Sequence, residues 1–294
     1  MPPKKKAKQK ILPPRNLKKG KSAFRVSKKN RKFEVAGPDP KDDDCGRIVL
    51  DQGDTHSLGH QGQMLTGSTT TAYLNLLVHK YHDSKVRRSD DQFVQRVDFF
   101  LEAKGTNAGW TSYLTELRLQ QSGSKAINWE TDKLIVLQIF RGPAQAGHWA
   151  SLIIDRTRPN QSLAVFADSL PTYSPSSFHD FKQMLEHTPL SNNVTWIVAK
   201  IPVQGRGTND CGVWAYSFPT LYACALEKQG LLSTVDKDRN RQLAPTIQDV
   251  ELQLPSTMNT FEFGAAARKH MKRSLRLGLL DTESPIFDCE VVWT

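Results

Sequence analysis

Three short apolar runs follow one another in the middle of the chain, at 134–140, 148–154 and 162–167. Each is rich in Val, Ile, Leu or Phe, and turn residues (Gly142-Pro143 and Pro159-Asn160) separate them. Runs of this length, punctuated in this way, predict adjacent strands of one sheet. A further strand is expected over 194–202. Helices are expected around them. Within 64–82 the second half presents Tyr73, Leu74, Leu76, Leu77 and Tyr81 at helical spacing, with Thr66 or Ser68 as a cap. Others are expected at 110–119, at 178–187 capped near Ser176 or Ser177, at 211–227 and at 258–277. The 211–227 segment is mostly apolar, and the last is amphipathic and basic. This order predicts an α+β fold whose central mixed or antiparallel sheet is flanked by helices. Residues 228–257 are polar with two prolines and read as a loop or insertion, and 281–294 as a C-terminal tail.

The net charge of +10 is concentrated at one end. Residues 1–32 carry 14 Lys/Arg and no acidic residue, whereas the other 262 carry 26 basic and 30 acidic residues. Like charges repel, and few apolar groups are present to offset the entropy of ordering, so 1–44 is expected to be a disordered basic tail. Such a tail suits an import receptor or nucleic acid, or is simply solvated. Asp42-Asp43-Asp44 reverses the charge and is expected to mark the edge of a domain over 45–280. No stretch approaches the roughly 20 apolar residues of a membrane helix, so no membrane association is expected. Cys45, Cys211, Cys224 and Cys289 are widely spaced. That spacing fits a reducing intracellular compartment better than a disulfide framework. His56, His60, His79 and His82 have helical spacings without clustered acidic or cysteine ligands, so surface or capping roles are expected and no metal.

Chemistry concentrates in three segments. Gly147-His148-Trp149 opens one expected strand, Asp168-Ser169 closes the next, and Gln204 to Gly212 (QGRGTNDCG) lies between a strand and a helix. A cysteine nucleophile needs a base, a third group that holds the base in one tautomer, and donors for the oxyanion. Cys211 at a helix start meets free N–H groups and the positive helix end, which favour a negative sulfur. His148 and Asp168, on neighbouring strands, can stand side by side, leaving one ring nitrogen for sulfur. The Gln204 amide and the Cys211 backbone N–H are the natural oxyanion donors.

The order His-Trp, then Asp-Ser about 20 residues on, then Gln…Asp-Cys-Gly before an apolar helix resembles the SUMO-specific, ubiquitin-like-modifier proteases. The segment 64–77 resembles the helix leading into that family's domain, and 264–277 the helix that closes it. The resemblance spans roughly 55–280. It implies a papain-like fold and hydrolysis of the bond after the C-terminal Gly-Gly of a small modifier, with no cofactor, while the nuclear setting is expected from the basic clusters of the tail. It further implies that Trp149 covers the Gly-Gly stem, with Met64 standing where the family has a slot-forming Trp. Arg206, beside Gln204, could meet substrate or be a solvated loop charge. Gln204 precedes Cys211 by seven residues where the family usually has six.

Two alternatives use the same residues. Effector-type acetyltransferases share the His–acid–Gln–Cys order and form an acyl-cysteine, although they typically use Glu where Asp168 stands. A modifier- or nucleic-acid-binding protein with a vestigial site is the other. Plain strand core is the alternative for Trp149, and Cys224, 13 residues into the same helix, reads as core.

Overall fold

A computed structural model describes residues 24–26, 33–35, 48–81, 86–88, 131–141, 147–170, 178–179, 182, 193–232 and 246–294 of the chain. The helix expected at 110–119 lies outside them. Of the one expected at 178–187, only 178, 179 and 182 are described, all helical.

The central sheet has five strands: β4 (Val86–Arg88), β5 (Leu134–Arg141), β6 (His148–Arg158), β7 (Gln161–Ala167) and β8 (Val194–Val198), in that spatial order. β5, β6 and β7 pair antiparallel, as their short connections require, while β4 and β8 join the edges in parallel. The fold is therefore α+β with a mixed sheet. β8 ends earlier than the expected strand because the chain changes partner. Ala199 N–H still donates to Phe166 O at 2.7 Å, but Lys200 N–H donates to Val250 O at 2.8 Å.

The β6–β7 hairpin contains a bulge. Arg158 pairs with Gln161 across the tight turn, but Asp155 pairs with Leu163, so β6 holds one extra residue. The Asp155 carboxylate fills the bulge. It accepts from Thr157 N–H at 2.8 Å, Thr157 Oγ1 at 2.6 Å, Arg158 Nη1 at 2.6 Å and Tyr222 Oη at 2.7 Å.

Helices α1 (Gln52–Ser57), α2 (Gly67–Lys80), α3 (Cys211–Lys228) and α4 (Thr260–Leu277) accompany the sheet. α3 is apolar almost all round because it is central. One side packs on β6, and α2 and α4 cover it. Tyr216 Oη donates to Gln138 Oε1 at 3.2 Å and Tyr222 reaches Asp155, so two hydroxyls fix α3 lengthwise along the sheet. Trp214 stacks on Phe263 of α4 with ring centroids 4.2 Å apart. Thr66 caps α2, as expected. Asn259 and Glu262 form a capping box at the start of α4, and Gly278, at φ 68°, ends it.

Three expectations need correction. Residues 281–294 are not a free tail: they form a 3-10 turn (Pro285–Asp288) and strand β10 (Glu290–Trp293). β10 pairs antiparallel with β9 (Val250–Gln253), inside the segment expected as loop. The alternation that buries Val250 and Leu252 spans only four residues, too few to stand out in sequence. Within the expected disordered tail, β1 (Phe24–Val26) pairs with β2 (Phe33–Val35), and β2 in turn with β3 (Ile48–Leu50). Both strands in the tail read apolar–charged–apolar, a period of two that net charge conceals.

Candidate active site

The hairpin register brings His148 and Asp168 together. Ser151 pairs with Ala167, so one step further Asp168 stands opposite Ala150. Side chains alternate along a strand, which puts Asp168 and His148 on one face as diagonal neighbours. His148 Nε2 and Asp168 Oδ1 are 2.6 Å apart. Leu170 N–H donates to the same carboxylate oxygen at 2.8 Å and fixes its aim.

The His148 ring is also hydrogen-bonded to the Cys211 side chain. Burial opposes a charged ring here, but the hydrogen bonds to Asp168 and Cys211 outweigh it and raise His148 from 6.5 to about 9. Cys211 is the first residue of α3 and is 4% exposed. Cys211, His148 and Asp168 thus meet where α3 begins and β6 begins, in a nearly enclosed position.

Gln204 is held beside this group by Asp168's neighbour. Gln204 N–H donates to Ser169 O at 3.1 Å, and Ser169 Oγ donates to Gln204 Oε1 at 3.0 Å. The amide nitrogen donates to Thr208 O at 3.2 Å. The longer spacing to Cys211 is taken up by a turn over 205–208, with Thr208 N–H on Gly205 O at 3.2 Å and Gly207 at φ 75°. Arg206 lies exposed on that turn, and Met64 is half-buried against the core.

Trp149 differs from the expected cover over a substrate stem. It is 5% exposed and packs between Phe140, with centroids 4.6 Å apart, and Tyr216, at 5.6 Å. A Cβ on Gly212 would come within 3.2 Å of both Trp149 Cδ1 and Leu65 Cβ. Trp149 therefore belongs to the support beneath the first turn of α3. Leu65 shares that support, although sequence pattern gave no reason to select it.

Arg268 is the other residue that sequence reasoning missed. It is 3% exposed and pairs with Asp210, the residue before Cys211. It also donates to the carbonyls of Ser57, Gln63 and Asn209. The signal was present only as Asp-Cys together with a basic final helix.

The remaining cysteines are placed differently. Burial raises Cys224, which touches Tyr81 Oη at 3.2 Å, and burial pushes Cys289 up to about 12. Among the described residues no three His, Cys, Asp or Glu side chains converge as metal ligands, and no helix is long and apolar enough to cross a membrane.

No protein-family model and no curated protein matches the chain. Solved structures do resemble it. A de-sumoylating protease is 15% identical over 79% of this chain and 87% of its own, with a TM-score of 0.49. The Xanthomonas campestris effector XopD, bound to ubiquitin, is 16% identical over 60% of this chain and 86% of its own, at TM-score 0.39. AvrA, solved with IP6 and CoA, is 12% identical over 54% and 51%, at TM-score 0.33.

Proposed function

We propose that the chain is a cysteine protease that hydrolyses the peptide or isopeptide bond after the C-terminal Gly-Gly of SUMO or a related ubiquitin-like modifier. The observation that carries the reading is His148 held between Asp168, at 2.6 Å, and a cysteine at a helix N-terminus. In this reading the proton shared between His148 and Cys211 stays on His148 as sulfur forms a bond to the carbonyl carbon. The oxyanion is met by the Cys211 N–H and the Gln204 amide. The C–N bond then breaks and His148 returns the proton to the departing amine; water next attacks the thioester with His148 as base, the C–S bond breaks to release the modifier's carboxylate, and the proton returns to the Cys211–His148 pair. No metal or cofactor takes part. Near-complete burial of Cys211 favours a slender extended substrate end, as a Gly-Gly stem is.

The test is intact mass after mixing the protein with C-terminal electrophile probes of SUMO forms, ubiquitin and other Gly-Gly modifiers. One adduct, absent from Cys211→Ala, is expected and names the modifier. No adduct from folded protein, together with an acetyl thioester after incubation with acetyl-CoA, would replace the reading with acyl transfer. The basic residues of 1–32 support a nuclear address. Residues 1–44 fused to a fluorescent reporter should concentrate in nuclei, and an even distribution would overturn that part.

A further inference from the structure

An aspartate directly before a helix normally caps it, its carboxylate accepting from the second or third N–H. Asp210 holds that place before α3 but makes no such bond. Its Oδ1 instead lies 2.7 Å from Arg268 Nη2 and 2.8 Å from Nε, with both side chains almost wholly buried. The guanidinium cannot follow a moving partner, because Gln63 O at 2.7 Å and Asn209 O at 3.1 Å hold Nη2, and Ser57 O holds Nη1. The first-turn N–H groups of α3 are therefore left without a side-chain acceptor. A carboxylate swung onto them would set a negative charge beside Sγ and offset the positive helix end there.

We propose that Arg268 is a positioning residue for catalysis: it holds the Asp210 carboxylate off the N-terminus of α3, which keeps that positive helix end for the Cys211 sulfur. This rests on the reading of Cys211 as nucleophile. Lysine would not replace it, since one ammonium cannot span a carboxylate and three carbonyls at once.

The test needs no substrate. On the full chain, the rate of iodoacetamide alkylation of Cys211 is followed against pH by peptide mass, with Cys224 and Cys289 as internal references. Arg268→Met should move the profile to higher pH and cut the rate near neutrality about tenfold, the effect of one unit of thiol acidity. Adding Asp210→Ala to Arg268→Met should return most of the wild-type profile, because no carboxylate remains to swing. Ile153→Val, a core change away from the site, should lower Tm and leave the profile in place. A double variant as slow as Arg268→Met, or an unchanged Arg268→Met profile, overturns the proposal. If Arg268→Met does not fold, Arg268→Lys with and without Asp210→Ala decides by the same criterion. Wild-type Cys211 reacting no faster than Cys224 would overturn the nucleophile reading itself, and the proposal with it.

Discussion

Ser169 donates its hydroxyl to the side-chain oxygen of Gln204 at 3.0 Å, so the residue after Asp168 decides which end of that amide is free. The nitrogen end spends one hydrogen on Thr208 O at 3.2 Å and keeps a second. Gln204→Ala should lower kcat about 100-fold to 1000-fold with little change in KM, the usual cost of one oxyanion donor. Ser169→Ala should cost less, in the same parameter, by freeing the amide to turn. Steady-state kinetics on a modifier-derived substrate checks both, and a near-wild-type kcat for Gln204→Ala would remove it from the site.

His148 gives a pH dependence of known sign. Burial works against its charge, yet Asp168 and Cys211 raise it from 6.5 to about 9. The folded state therefore holds the proton more tightly than the unfolded chain. Its stabilising contribution is complete below 6.5 and is lost as pH climbs through about 9. Tm should fall across that window in the wild type, and His148→Ala should lack this part of the slope. Asp168→Asn removes a charged acceptor, so the decline should move to lower pH. Its activity loss should be smaller than that of Cys211→Ala or His148→Ala, because it orients rather than reacts.

Gly264→Ala should reverse a familiar trend. Alanine inside a helix normally gains about 1 kcal/mol over glycine. Here the new Cβ would clash with Asp210 Oδ2, on a side chain clamped by Arg268. The expected result is a loss of about 1–3 kcal/mol from overpacking. Denaturant unfolding reads it directly, and a gain in stability would show that Asp210 has room to yield.

Asp155→Ala should be among the most damaging single changes away from the nucleophile. It leaves Arg158 buried without its partner and deprives Tyr222 and Thr157 of their acceptor. Losing one member of a buried pair costs about 3–5 kcal/mol. Lys200→Ala, which breaks the exposed pair with Asp249 at 2.7 Å, should leave unfolding almost unchanged.

Much of this site was legible in the sequence because its residues stand at the ends of strongly patterned elements. His148 opens β6, Asp168 follows β7 and Cys211 opens α3, each marked by an apolar run beside it. Arg268 was not legible. On an amphipathic basic helix an arginine reads as solvated, and nothing local indicates a carboxylate 58 residues earlier in the chain. Trp149 was assigned to substrate by its place after histidine, whereas the rings of Phe140 and Tyr216 that enclose it come from other elements. β9 and β10 escaped because four-residue strands carry little periodicity, and their pairing spans about 40 residues of chain.

The bulge at Asp155–Arg158 bears on how this chain can change by descent. Carried outward unchanged, the pairing of Arg158 with Gln161 would set Asp168 opposite Ser151, on the far side of the sheet from His148. The extra residue restores the match, so the spacing between His148 and Asp168 works as a parity. Loss of one codon between 155 and 158 would separate the pair while leaving both residues in the gene. Loss or gain of two, in the same strand, would preserve their side of the sheet. A lineage can therefore vary the length of this hairpin only in even steps, or in paired odd ones on both strands, and a relative with a hairpin one residue shorter should prove inert however familiar its motifs look.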